Sequence, residues 1–310
     1  MNAPRRFDAY RDAPLYGWPF YAARKLMRRA GHTLLRAADA LSLREKYAPS
    51  SLLGPLLPEN AALRDRQRGR PGFVIGNGPS LATQDLAPLR GQVTFAMNAF
   101  LRHPLLAHVR PTYYLFADGV FFDGSAPCNQ FLADVRAAVT HSTFLAPCAA
   151  APTILARGLL PADRTHFVAY AGMLRSATLN RLDLTRPVPG VVNCAQLAIM
   201  LALYAGCSPI YLLGLDHDWL AHRGHEGHFY PGKTIANHPV AHGDKWAYGY
   251  RDQMRATMDA WDGYAALHAH ATARGAQIIN CTNGGFLDVF PRARYEDIVA
   301  TPTRAAAVAA

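Results

Sequence analysis

The sequence predicts an α/β fold in which a single Rossmann-like, mostly parallel sheet is flanked by helices. Two observations predict it. Short apolar runs recur along the chain and each ends in a small polar residue, as strands do where an open α/β sheet forms a crevice. Later, a long apolar helix-like stretch leads directly into another such run, which is one half of a β-α-β crossover. A basic helical N-terminal arm and a histidine-rich lid loop are predicted to complete the fold.

The composition is that of a globular protein. The chain has 310 residues, of which 50% are hydrophobic, so it can bury a full-sized core. It contains no apolar run long enough to span a bilayer, and its first residues lack the apolar core of a secretory signal. The five cysteines are scattered and form no C-x-x-C pair, which favours reduced thiols. We therefore expect a cytoplasmic protein.

The positive charge is concentrated near the N-terminus. Residues 1–70 contain 14 Lys or Arg and 6 Asp or Glu, whereas the remainder contains 18 and 16. A remainder this close to neutral argues against a nucleic-acid enzyme. The arm, residues 1–47, has two interpretations: an amphipathic helix on an anionic membrane surface, or a helix packed on the domain with its basic face in solvent. The first would place the protein peripherally on the inner membrane.

Composition also suggests the domain boundaries. Residues 48–71 are rich in proline and arginine and are predicted to be a linker. Residues 72–302 are predicted to form a nucleotide-binding or nucleotide-sugar-binding catalytic domain. The alanine-rich end, residues 303–310, is expected to be a disordered tail.

The catalytic domain begins with an apolar strand that runs into the turn G-N-G-P-S-L. Gly76 and Gly78 would allow positive φ and a close ligand approach, Pro79 suits a first helical position, and Ser80 could satisfy free N–H groups. With Asn77, these residues predict a phosphate cradle. A lone G-x-G is also typical of an ordinary strand-to-helix turn, so its context decides between the two.

The elements that follow supply that context. A strand over 93–97 ends in Asn98, and a strand over 113–117 ends in Asp118. A helix over 130–139 and strands over 143–146 and 167–170 come next. Carboxyl ends of parallel strands meet at one edge of the sheet, so Asn98 and Asp118 are expected beside the glycine turn.

A second informative block starts at Gly190 and Asn193. It continues as an apolar helix over 195–205 and a strand over 210–215 that closes on Asp216. Most of the helix is expected to pack in the hydrophobic core, and its N-terminus is the part expected to contact a ligand. The domain closes with a helix over 248–273 and a strand over 277–280.

Six of the thirteen histidines lie just after Asp216, at His217, His222, His225, His228, His238 and His242. The segment is longer than a simple connection requires, and long loops commonly act as lids or binding loops. One hypothesis is a metal site formed by His222, His225 and His228 with Asp216 or Asp218. Glycines between these histidines argue against the helix that would preform such a site. Most of the loop histidines are expected to have no role.

The glycine turn, the strand ending in Asn98 and the strand I-Y-L-L-G-L-D up to Asp216 together resemble two related families. One is the small bacterial lipooligosaccharide sialyltransferases, which use CMP-sialic acid. The other is the MptE-like 6-hydroxymethylpterin diphosphokinase superfamily. The resemblance covers about residues 71–300. It implies a nucleotide or donor site made of Gly76, Asn77, Gly78, Pro79, Ser80, Asn98, Asp118, Gly190, Asn193 and Asp216.

The resemblance also implies catalytic residues. The sialyltransferases carry their base as a histidine next to a tyrosine in the equivalent loop, which corresponds to His228 with Tyr230 nearby. They also carry a tyrosine shortly after the strand-ending Asp, where it supports the leaving phosphate. This chain has Asp216, His217, Asp218 and Trp219 there, so His217 or Tyr230 would have to supply that hydrogen bond.

Three functions follow. The leading one is a glycosyltransferase of surface-polysaccharide or lipopolysaccharide biosynthesis that needs no metal, with a CMP-nonulosonate donor and a glycan or lipid-linked acceptor. The second is an MptE-like pyrophosphokinase that transfers diphosphate from ATP to a pterin-type alcohol, with magnesium held by Asp118, Asp216 and Asp218. The third is a non-catalytic nucleotide-binding envelope protein. The donor sugar, the nucleotide base, the acceptor and a homo-oligomeric state stay open.

Overall fold

The computed structural model describes residues 53–175, 179, 181–221, 227–232, 235 and 249–300, with positions 26, 27, 30, 31, 47 and 51. The chain divides into two compact units, Met1–Lys46 and Tyr47–Ala310. The predicted N-terminal arm, apart from five positions, lies outside the described residues. So do the tail and four of the loop histidines, His222, His225, His238 and His242.

The main sheet confirms the predicted α/β fold. Its strands are β1 (Gly72–Ile75), β2 (Val93–Met97), β3 (Tyr113–Leu115), β4 (Thr143–Pro147), β5 (Thr165–Val168), β8 (Ile210–Leu213) and β9 (Ile278–Asn280). Two further strands, β6 (Tyr170–Met173) and β7 (Val188–Gly190), pair in a separate small sheet. The spatial order of the main sheet is β5-β4-β3-β2-β1-β8-β9, and every neighbouring pair is parallel.

The α-helices of the described residues are α1 (Leu106–Val109), α2 (Ala126–Ala138), α3 (Ala151–Arg157), α4 (Cys194–Tyr204), α5 (Tyr250–Thr272) and α6 (Tyr295–Ala300). The predicted helices over 195–205 and 248–273 correspond to α4 and α5. The strand predicted over 167–170 is divided at Ala169, where the chain leaves the main sheet and begins β6. The short helices α1 and α3 were not predicted, because so few residues show no clear periodicity.

Two hydrophobic layers cover the faces of the sheet. Side chains alternate along each strand, so Phe73 and Ile75 pack in one layer and Val74 packs in the other. The first layer includes residues of α1, α2 and α3, and the second includes residues of α4 and α5. Helix α4 is apolar around its whole circumference, and nearly all of it is buried.

The sheet has a topological switch point at β1. The chain builds β2 to β5 outward on one side of β1 and then returns to place β8 on the other side. Strands β1 and β8 pair in register from Gly72 opposite Ile210 to Ile75 opposite Leu213. Because the connections leave these two strands in opposite directions, a crevice opens beyond their carboxyl ends.

The described residues of the predicted linker are packed against the rest of the domain. It contains 3-10 helices at Gly54–Leu56 and Pro58–Leu63, each with a proline in its first turn. The fully buried Asn60 donates hydrogen bonds from Nδ2 to the carbonyl oxygens of Phe167 and Leu184, both at 2.7 Å. The prolines that suggest a linker therefore initiate short helices that pack on the sheet.

Two expectations from composition can be compared with the structure. All five cysteines are buried and free, in agreement with reduced thiols. Within the described residues, no helix combines the length and the apolar character needed to cross a membrane.

Candidate functional site

A cleft of about 140 Å³ opens at the switch point. It is lined by the turns that follow β1, β2 and β8, by the N-terminus of α4 and by the start of the segment 227–232. The structure thus brings together these predicted site residues: Gly76, Asn77, Gly78, Asn98, Asn193, Asp216, His217 and His228.

The glycines of the first turn are needed for a reason other than the predicted one. Neither Gly76 nor Gly78 has a positive φ. A Cβ on Gly76 would collide with the carbonyl oxygen of Gly214, and a Cβ on Gly78 would collide with the Asp216 carboxylate. The left-handed residue is Gly214 itself, with φ of +63°. The glycines therefore let the turns after β1 and β8 lie in direct contact.

The predicted phosphate cradle is also corrected, because the amides of this turn bind the protein. The amides of Gly76 and Gly78 donate to the carbonyl oxygens of Leu213 (2.8 Å) and Gly214 (2.9 Å). The Ser80 amide donates to Asp216 Oδ1 (3.1 Å), and the Ser80 hydroxyl donates to Oδ2 (2.8 Å). A carboxylate of the chain thus takes the place that a phosphate would need.

Asp216 forms part of the cleft wall and also ties two turns together. It is 6% exposed and holds Ser80 through both carboxylate oxygens. Burial raises the pKa of its carboxyl group; the bonds from Ser80 oppose that shift and the charge of Asp218 adds to it. Asp216 is therefore a structural carboxylate that borders the cleft.

Two asparagines supply buried acceptors. Asn77 donates from Nδ2 to the carbonyl oxygen of Met97 at 3.0 Å, which leaves its Oδ1 oriented away from that bond. Within the described part of the chain, Oδ1 of Asn77 and Oδ1 of Asn98 are buried without a hydrogen-bond partner. Asn98 also has φ of +49°, in the left-handed region. Buried unpaired acceptors and strained backbone both cost free energy, and both concentrate at binding sites.

Asn193 has a fixed orientation. As the N-cap of α4, its Oδ1 accepts from the Gln196 amide and from the Tyr264 hydroxyl, each at 3.0 Å. An amide oxygen has two lone pairs, so both are used. Nδ2 carries the two N–H donors, and none of the described residues accepts from it. Together with the positive end of α4, this amide supplies donor groups of the kind that bind anions. The carboxylates of Asp216 and Asp218 also line the cleft.

His217 is held from several sides. Its backbone is left-handed, with φ of +51°, and its Nε2 lies 2.7 Å from the Tyr264 hydroxyl. Its ring contacts Trp219, Trp261 and Tyr264 at centroid distances of 4.9, 5.7 and 5.3 Å. Sequence reasoning missed Tyr264 and Trp261, because they lie on α5, far along the chain from His217, and no local motif marks them.

His228 approaches the cleft from a different segment. The amide of its neighbour Phe229 donates to the carbonyl oxygen of Asn77 at 2.9 Å, which docks this segment on the glycine turn. The His228 ring stacks on Tyr230 with centroids 4.9 Å apart. Tyr230 is only 5% exposed, lies beneath the Arg102 guanidinium and does not line the cleft. Its position suits support of His228 and not the predicted contact with the phosphate.

Four other predicted residues do not line the cleft. Asp118 is exposed and accepts from the Val120 amide at 3.0 Å, as the N-cap of a 3-10 helix after β3. Gly190 ends β7 in the small sheet, where a Cβ would lie 2.7 Å from the Gly172 carbonyl oxygen. Pro79 occupies the first helical position as predicted, and Ser80 is turned toward Asp216.

The metal hypothesis concerns the histidine-rich segment after Asp216. No group of three potential metal ligands occurs among the residues that the structure describes. His222 and His225, which the hypothesis requires, lie outside them.

Comparison with known proteins gives distant fold neighbours, two of which are glycosyltransferases. No family model matches the chain, and neither does any curated protein. The sialyltransferase CstII from Campylobacter jejuni, solved with the substrate analogue cytidine-5'-monophosphate, aligns with a TM-score of 0.43 and 12% identity over 73% of this chain and 85% of that one. The MAf glycosyltransferase from Magnetospirillum magneticum AMB-1 aligns with a TM-score of 0.41 and 15% identity over 78% of this chain. The match spans 38% of the MAf chain.

Proposed function

We propose that the protein is a glycosyltransferase that takes a sugar from a nucleotide donor, with a CMP-activated nonulosonate as the donor class. One observation carries the proposal. A single cleft at the switch point combines a wall that supplies anion-binding donor groups, formed by Asn193 and the N-terminus of α4, with a histidine from a separate segment, His228. Transfer from a nucleotide sugar can use both features, the wall for the leaving phosphate and the histidine as base for the acceptor.

The chemistry follows from these two features. The bond between the anomeric carbon and the phosphate oxygen breaks, and negative charge grows on the departing phosphate. The Asn193 amide and the dipole of α4 would stabilise that charge. The acceptor hydroxyl oxygen forms the new bond to the anomeric carbon, and its proton passes to His228 as general base. The scheme requires no metal ion.

The donor class is named by the sequence resemblance, and the polar atoms of the cleft are compatible with it. The buried acceptors of Asn77 and Asn98 require hydrogen-bond donors, and the hydroxyl and amino groups of a nucleotide sugar can supply them. The surface-polysaccharide role, the glycan or lipid-linked acceptor and the membrane contact of residues 1–47 are parts of the same proposal that rest on sequence.

The pyrophosphokinase alternative fits the cleft less well. It needs several carboxylates converging on magnesium. Asp216 is engaged by Ser80, and Asp118 caps a 3-10 helix away from the cleft. Of the predicted magnesium set, Asp216 and Asp218 line the cleft and Asp118 does not.

The test is release of free nucleotide from CMP-, UDP- and GDP-sugars and from ATP, each with and without magnesium. We expect release of CMP without magnesium, and a loss of about 100-fold or more in turnover for His228→Ala, as for removal of a general base. His141→Ala is the matched control, because His141 is exposed and distant in sequence from the cleft residues. Release of AMP from ATP with magnesium would replace this proposal with the pyrophosphokinase. Nucleotide binding with no turnover of any donor would support a non-catalytic protein.

A further inference from the structure

We propose that Tyr264 is a positioning residue of the cleft: its hydroxyl fixes both the orientation of the Asn193 amide and the tautomer of His217. Three hydrogen bonds establish the geometry of this inference. The role that it gives Tyr264 in catalysis rests on the proposed function. Tyr264 does not line the cleft, so it would act only through Asn193 and His217.

The direction of each hydrogen bond follows from counting protons. The Gln196 amide N–H points at Asn193, so the oxygen end of the Asn193 side chain must face it. That oxygen cannot donate, and the Tyr264 hydroxyl 3.0 Å away must therefore give its single proton to it. The Tyr264 oxygen can then only accept from His217, whose Nε2 is 2.7 Å away. Neutral His217 therefore carries its proton on Nε2, and Nδ1 is the basic ring nitrogen.

Further contacts hold the groups that make these three hydrogen bonds in place. Tyr264 is fully buried, and burial raises the pKa of its hydroxyl, which keeps the proton in place. The Gln196 side chain accepts from the Val192 amide and donates to the Ala260 carbonyl oxygen, both at 2.8 Å, so it links α4 to α5. At Gly263, a Cβ would collide with that same side chain.

The consequence concerns the cleft wall. Because Asn193 Oδ1 is engaged from two directions, the amide cannot rotate to present its oxygen to a ligand. A phosphate bound at this wall would therefore meet N–H donors whose orientation is fixed. Preorganised donors of this kind stabilise developing charge without reorganisation during the reaction.

The test is Tyr264→Phe, which removes the hydroxyl and keeps the ring. We expect CMP to bind about 3- to 10-fold more weakly, the range that one hydrogen bond provides. Tyr170→Phe is the matched control, because the Tyr170 hydroxyl is buried and has no hydrogen-bond partner among the described residues. This control should leave the affinity unchanged. A merely structural role for Tyr264 would lower the Tm and leave the affinity of the folded protein as it is, which would overturn the proposal.

A second readout needs no ligand. Ring ¹⁵N NMR shifts of His217, assigned by their loss in His217→Gln, should show the Nε2-protonated tautomer in the wild-type protein and a mixture of tautomers in Tyr264→Phe. The Nδ1-protonated tautomer in the wild type would overturn the geometry. If the wild type binds no nucleotide, the proposed function fails while this result still decides the hydrogen-bond directions. A normal nucleotide response with the wrong tautomer would reject the role of Tyr264 alone.

Discussion

At the scale of single residues, close contact between the turns after β1 and β8 explains which residues occupy them. Gly76 and Gly78 are at the predicted place, but they are required by contact with Gly214 and Asp216 and not by positive φ. Asp216 ends the predicted strand, yet its carboxylate is engaged by Ser80. A local motif indicates where a glycine or an acid lies in the chain. It cannot show which distant residue occupies the space beside it.

The burial of Asp216 predicts a pH dependence of stability. Its pKa is raised in the folded protein, so the folded state binds this proton more tightly than the unfolded state does. The resulting stabilisation is present below the unfolded pKa, about 3.9, and is lost as the pH rises through the folded pKa. In Asp216→Asn that dependence should disappear, because the amide does not titrate while its oxygen can still accept from Ser80.

The measurement is urea unfolding of both proteins at several pH values between pH 4 and pH 7. We expect the free energy of unfolding of the wild type to fall relative to that of Asp216→Asn as the pH rises. A constant difference, or a wild type that gains stability relative to the variant, would show that the pKa of Asp216 is not raised.

At the scale of elements, the strength of the local pattern decides what the sequence can predict. The apolar run of α4 and the strands β1, β2 and β8 are predicted closely, because their patterns are long or bounded by glycine and polar residues. The packed segment before β1 is missed, because its prolines are typical both of linkers and of short 3-10 helices. The contribution of α5 to the cleft is missed as well, since Tyr264 reaches His217 only through the tertiary fold.

Asn60 allows the packing of that early segment to be tested. In Asn60→Ala, the carbonyl oxygens of Phe167 and Leu184 lose their buried donor, and each unsatisfied group costs about 1–3 kcal/mol. We expect the free energy of unfolding in urea to fall by about 2 kcal/mol or more. Asn283→Ala is the control, because its hydrogen bond to Thr83 is exposed, and it should change stability by less than about 0.5 kcal/mol. Equal effects of the two substitutions would mean that residues 54–63 are a loosely attached linker.

At the scale of the whole molecule, strand order creates the site. The sequence predicts parallel strands with polar ends, but it does not show that β8 returns beside β1 while β3 lies two strands away. That order explains why Asp216 and Asn98 border the cleft and Asp118 does not. Of the predicted site, the residues after β1, β2 and β8 are brought together. Asp118, which follows β3, and Gly190, the last residue of β7, are left outside.

The central claim is that this cleft binds the phosphate of a nucleotide, and Asn193→Asp tests it most directly. An aspartate keeps an oxygen for the Gln196 amide and the Tyr264 hydroxyl, and it is as good an N-cap as asparagine. Its second oxygen, however, replaces the N–H donors with negative charge. The variant should therefore fold normally and repel the phosphate.

The measurement is thermal unfolding of the wild type and Asn193→Asp with CMP, CDP, UDP, GDP or ATP, each with and without magnesium. A ligand at a hundred times its Kd adds about 2.7 kcal/mol of stability. We predict that a cytidine nucleotide stabilises the wild type without magnesium, and that Asn193→Asp has a normal Tm but no such response. The claim is contradicted if no nucleotide stabilises the wild type, or if the variant responds as strongly as the wild type does.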